Sequence, residues 1–101
     1  MEQPETGGQF DRWLDAYEAM YAALPEHGDS TCPNCGQPAL RLVFTGEPSR
    51  RIGWAQLWCE NCQLGIHISR TAVPDDVPMN DRHTPVAERA LYVPNYTLVT
   101  P

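Results

Sequence analysis

Apolar positions recur at steps of three and four from Gln9 to Leu24. Phe10, Trp13, Leu14, Tyr17, Met20, Tyr21 and Leu24 make one stripe, while Asp11, Arg12, Asp15, Glu18 and Ala22 fall on the other side. That period predicts an amphipathic helix over 9–24 with one face to bury. Thr6 and Gln9 have the spacing of a capping box ahead of it, and Pro25 and Gly28 stop it. Further along, the period shortens to two. Ala39 to Thr45 alternates with Leu40, Leu42 and Phe44 on one face. Arg51 to Trp58 places Ile52, Trp54 and Trp58 in phase, and Leu64 to Arg70 does the same with Leu64, Ile66 and Ile68. These are three strands, the first two joined through a turn at Gly46, Pro48 and Ser49. Beyond Thr71 the pattern breaks. Pro74, Asp75, Asp76, Pro78 and Asn80 oppose regular structure, Thr84 and Pro85 can open one or two helical turns through Leu91, and Tyr92 to Thr100 reads as extended.

The elements predict a small α+β fold in a single domain, 1–101. A three-stranded antiparallel sheet occupies 30–70, the N-terminal helix lays its aromatic stripe over the sheet through Trp54 and Trp58, and an irregular Pro-rich tail, 71–101, wraps the remainder. A chain of 101 residues builds a modest core, so a metal staple carries real weight in its stability.

That staple is visible in the cysteines. The first pair lies in Cys32-Pro33-Asn34-Cys35-Gly36 and the second in Cys59-Glu60-Asn61-Cys62, with the predicted hairpin between them. A C-x2-C pair puts two sulfurs on a tight turn whose backbone N–H groups point at them. Two such turns make a tetrahedral cage of four sulfurs, a donor set that selects zinc or iron. Cys32, Cys35, Cys59 and Cys62 are therefore the expected ligands of one Zn²⁺ per chain. Over about residues 30–70 the chain resembles the zinc-ribbon superfamily. Its first knuckle matches the pattern, and its second departs from it, with Gln63 where glycine is common. The resemblance implies the metal and the local fold. It does not select a function, because ribbons serve in transcription factors, ribosomal proteins, enzyme subunits and adaptors.

Composition narrows the setting. The opening MEQPETGG has neither the basic start nor the apolar run of a secretory signal, and no stretch approaches the length of a membrane span. The expected compartment is the cytoplasm, where thiols stay reduced and four cysteines are better explained by metal than by disulfides. The net charge is -6, and four thiolates around Zn²⁺ add a local double negative charge. That balance opposes non-specific binding to phosphate backbones. The charge gathers in the flanks, leaving the central module near neutral.

Other side chains offer less. His27, His67 and His83 are not needed as ligands, and His67 takes the polar parity of its strand. Ser30, Ser49 and Ser69 have no adjacent histidine–carboxylate pattern for a nucleophilic triad. Asp75 and Asp76 sit in a proline-rich loop as solvated acids. Arg41 and Arg51 share the sheet face opposite the apolar one, as a small cationic footprint, as partners for acidic residues of the tail, or as solvated surface charges. The expectation is a non-catalytic zinc-ribbon protein that binds another protein as an adaptor, accessory or inhibitor-like module. The rivals are a ribbon that binds nucleic acid or the transcription machinery, and a rubredoxin-like iron electron carrier.

Overall fold

The structure is a computed structural model, and it describes residues 8–26 and 28–101. The proposed capping residue Thr6 and the histidine at 27 lie outside the described residues. Helix α1 spans Gly8–Ala23, within a residue of the periodicity. Asp11 in its first turn complements the helix dipole. The stripe is buried as expected: Trp13 is 0% exposed, and Tyr17 and Met20 are buried beside it. Beyond Ala23 the backbone closes in single turns, Leu24 N–H donating to Tyr21 O and Glu26 N–H to Ala23 O, and Pro25 has no N–H to continue the ladder.

Strands β1 (Leu40–Glu47), β2 (Ile52–Cys59) and β3 (Leu64–Ala72) form the antiparallel centre of the sheet. The sheet itself is five-stranded and mixed, in the order β4-β1-β2-β3-β5. This corrects the three-stranded ribbon. The two further strands are β4 (Asn80–Asp81), parallel to β1, and β5 (Thr97–Leu98), parallel to β3. Both come from the segment expected to be irregular. Two-residue strands have no readable alternation, so nothing in the hydrophobic pattern announces them.

The register decides the faces. Leu40, Leu42 and Phe44 pair with Cys59, Leu57 and Ala55, and Ile66 and Ile68 extend this face across β3. Here α1 packs: Trp13, Tyr17 and Met20 share a core with Leu40, Phe44, Ala55, Leu57 and Ile66, and Tyr21 meets Phe44 edge-on with ring centres 6.1 Å apart. Two hydrogen bonds fix the helix on β3, between Tyr17 Oη and Thr71 Oγ1 (3.0 Å) and from Tyr21 Oη to Ala72 O (2.6 Å). Trp54 and Trp58, expected beneath the helix, pair instead with Thr45 and Arg41 on the opposite face. Strand β2 turns its two bulky tryptophans, with Gln56 between them, to the side away from the helix. The small residue Ala55 and the neighbouring Leu57 lie under the helix.

The tail covers this second face as a strap. Before it reaches that face, Val73 and Val77 are buried in the core shared with α1. After β4 pairs with β1, Asn80 uses its side chain as a substitute peptide group: Nδ2 donates to Leu91 O (2.8 Å) and Oδ1 accepts from Leu91 N–H (3.0 Å). One short 3-10 turn, Val86–Glu88, is all that forms of the expected helical turns. Tyr96 then stacks on Trp58 with ring centres 6.1 Å apart and planes 8° from parallel. Its hydroxyl donates to Ile66 O at 3.2 Å. Gly65 makes room, since a Cβ there would lie 2.7 Å from Tyr96 Cδ1 and 2.5 Å from Leu57 O. Thr97 and Val99 N–H groups donate to Gln63 O and Gly65 O, each at 2.8 Å, so the strap ends as β5.

Candidate metal centre

The four cysteines come together through the hairpin. The first knuckle precedes β1, the second joins β2 to β3, and the Leu40–Cys59 pairing sets them side by side. Each knuckle closes the same way. Gly36 N–H donates to Cys32 O at 3.0 Å, and Gln63 N–H donates to Cys59 O at 2.9 Å. Both closing residues are left-handed, with φ 79° at Gly36 and 64° at Gln63. Gln63 thus adopts the conformation that glycine takes in the first knuckle, at a steric cost of about 1–2 kcal/mol. Its side chain is tied down by donation to Glu60 O at 2.9 Å.

All four Sγ atoms lie within 4.8 Å of one another. A tetrahedral ion with metal–sulfur bonds of about 2.3 Å would set its sulfurs about 3.8 Å apart. The Cys32–Cys62 and Cys35–Cys59 sulfurs are 3.7 and 3.6 Å apart, so the donor set fits such an ion. The group is consistent with a zinc-ribbon-like site and can hold one metal ion. The cage is half sunk, with Cys32 and Cys59 buried and Cys35 and Cys62 partly exposed.

The surroundings are built for anionic sulfur. Asn34 and Cys35 N–H groups point at Cys32 Sγ (3.3 and 3.4 Å), and Asn61 and Cys62 N–H groups point at Cys59 Sγ (3.3 and 3.5 Å). The second cysteine of each knuckle is served by the opposite one. The Asn61 side chain donates to Cys35 Sγ at 3.4 Å, and this contact first, with the Gln37 N–H, lowers Cys35 to about 6. For Cys62 burial pushes upward, but donation from the Asn34 side chain and the Leu64 N–H outweighs it and lowers the thiol. Burial raises Cys32, and it pushes Cys59 up to about 12.

Asn34 and Asn61 are the residues around the sulfurs that the spacing of the cysteines alone does not reveal. Their signal was in the sequence: asparagine occupies the third position of both knuckles. The other expected site residues are dispersed. Arg41 pairs with Glu60 at 3.3 Å, both half exposed. Arg51 is not on a strand face but in the β1–β2 turn, with φ 53°, and its guanidinium donates to Pro74 O and Val77 O. The two arginines sit at opposite ends of the hairpin and form no shared footprint. His67 is exposed and stacked against Trp54, and Asp75 and Asp76 are exposed. No described helix is long and apolar enough to cross a membrane. Neither a protein-family model, nor a curated protein, nor a solved structure matches the chain.

Proposed function

We propose that this protein is a non-catalytic binding module, organised by one Zn²⁺ on Cys32, Cys35, Cys59 and Cys62, that works by meeting another protein in the cytoplasm. The observation that carries the reading is the closed donor set. Four sulfurs with tetrahedral spacing leave no coordination position for water or substrate. A broader cleft of about 510 Å³, between the end of α1 and the start of β1, is lined largely by apolar side chains. Among the described residues, its polar lining is one hydroxyl, Ser30, with Arg41 and the carboxylates of Glu26 and Asp76. The separation of Arg41 and Arg51 removes the particular footprint expected of that pair, and the net charge of -6 opposes non-specific binding to phosphate backbones. Zinc is favoured over iron because a redox-inert ion suits a site whose role is to hold two knuckles together.

Affinity capture with the zinc-loaded protein tests the reading. A stoichiometric protein partner is expected. Recovery of nucleic acid without protein, or a turnover abolished by one non-cysteine substitution, would overturn it. A purified protein coloured by stoichiometric iron would assign the site to electron transfer instead.

A further inference from the structure

The seven basic residues of the chain are all arginine, and three of them converge at the end of the sheet remote from the cysteines. Arg50 in the β1–β2 turn, Arg70 on β3 and Arg82 just after β4 line one cleft of about 250 Å³, together with Trp54, Ser69 and Glu47. All three arginines are exposed. None makes an ion pair or a side-chain hydrogen bond with any described residue, whereas Arg41, Arg51 and Arg89 are all engaged. The carboxylate in the cleft, Glu47, is occupied by His83 at 2.8 Å.

The backbone brings Arg70 there. With strict alternation, Arg70 would follow Ile66 and Ile68 onto the helix-covered face. The β2–β3 register slips between Gly53 and Ala55, so that Gly53 faces Thr71 while Ala55 faces Ile68. Ser69 and Arg70 both stand opposite Trp54, and the bulge turns Arg70 to the strap side beside Ser69. Re-aiming a side chain is what such bulges do at binding sites.

We propose that this cleft binds a phosphoryl group carried on a partner protein. Guanidinium groups present planar forked donors that grip phosphate oxygens in pairs, and clustered arginines are the usual reader of phosphorylated segments. The cleft is shallow and open at the surface, which suits a protruding side chain. The proposal takes its carrier from the protein-binding reading above; the anion site itself stands on the three arginines and the bulge.

The test uses zinc-loaded protein titrated with four probes: a degenerate peptide pool with a central phosphoserine, the same pool unphosphorylated, inorganic phosphate, and adenosine monophosphate. Arginine Nε–H resonances and the Trp54 indole report binding. The phosphorylated pool and inorganic phosphate should shift Arg50, Arg70 and Arg82 saturably, and the unphosphorylated pool should not. Combining Arg70→Gln with Arg82→Gln should weaken binding about tenfold or more without moving the melting temperature. Arg12→Gln, on the outer face of α1, should change nothing. Absence of a saturable shift, an equal shift with the unphosphorylated pool, or about tenfold tighter binding of adenosine monophosphate would overturn the proposal. Lysate capture separates the two readings. A captured protein that survives both phosphatase treatment and the double substitution overturns the phosphorylated carrier assigned to this cleft and leaves the protein-binding reading intact. Phosphate binding at the arginines with no protein retained removes that reading, and with it the carrier assigned here.

Discussion

Tyr96 is the point at which the strap is fastened, and replacing it measures how much of the fold depends on the strap. Its ring lies flat on Trp58, which is 2% exposed, and its hydroxyl reaches Ile66 O at 3.2 Å. Tyr96→Phe removes only the hydroxyl. The Ile66 carbonyl loses a partner, so the expected cost is about 1 kcal/mol. Tyr96→Ala removes the ring as well. The aromatic pair contributes about 0.5–1.5 kcal/mol beyond area, and full truncation of a wholly buried aromatic costs about 3–5 kcal/mol. Tyr96 is only partly buried, which places the alanine variant at about 2–3 kcal/mol by the same principles. Urea unfolding of the zinc-loaded protein gives the global value. Hydrogen exchange at Thr97 and Val99, whose N–H groups pair with Gln63 O and Gly65 O, gives the local one. Exchange at those two amides should accelerate more than exchange in β2, because the strap end opens without the hairpin. If Tyr96→Ala shifts stability by less than about 0.5 kcal/mol and leaves both amides protected, the stacking does not hold the strap and the reasoning fails.

Chelation should unfold the chain, because zinc binding supplies about 10 kcal/mol or more of apparent free energy in small domains; elemental analysis should return one zinc per chain, and Cys35→Ser or Cys59→Ser should abolish cooperative melting. Apparent zinc affinity should fall as pH drops from about 8 to about 6, since the ion binds thiolates and must displace protons, above all from Cys59, whose thiol burial holds near 12; a chelator competition that is flat with pH would contradict this. Trp13→Ala should cost about 3–5 kcal/mol, and Trp13→Phe clearly less, because the buried Nε1 has no partner to lose; equal costs in thermal denaturation would refute the assignment. Gln63→Gly should stabilise by about 0.5–1 kcal/mol by relieving the left-handed backbone, and a destabilised variant would show that the bond to Glu60 O outweighs the strain.

Sequence and structure agree most closely where spacing alone carries the information. The cysteine pairs and the helical stripe are local patterns, and both survive intact: the sulfurs gather, and Trp13, Tyr17 and Met20 are buried. The strands begin and end within two residues of their expected limits. Faces were legible only where one side of a strand is polar. In β2 the bulky tryptophans share their parity with Gln56, while the helix side is built from the small Ala55 with Leu57, so side-chain size points to the wrong face. Arg70 defeats the alternation for a different reason, since it is itself part of a bulge with Ser69 opposite Trp54, which changes the parity from there on. Arg51 looks like a surface strand residue, and becomes a tie between the turn and the carbonyls of Pro74 and Val77. The strap itself depends on contacts between residues far apart in sequence, Asn80 with Leu91 and Tyr96 with Trp58, and no local pattern encodes those.

The path of the strap also governs self-association. An open sheet offers its outer strands as templates on which a second copy can continue the ladder. Here β4 takes the outer side of β1 at Thr45 and Gly46, and β5 takes the outer side of β3 at Leu64 and Gly65. One segment therefore blocks growth from both sides, with only two residues invested at each. Detaching it would bare two strand edges and the Trp58 surface together. Conditions that loosen the strap while the hairpin stays ligated should therefore produce aggregates built from folded hairpins rather than from unfolded chains.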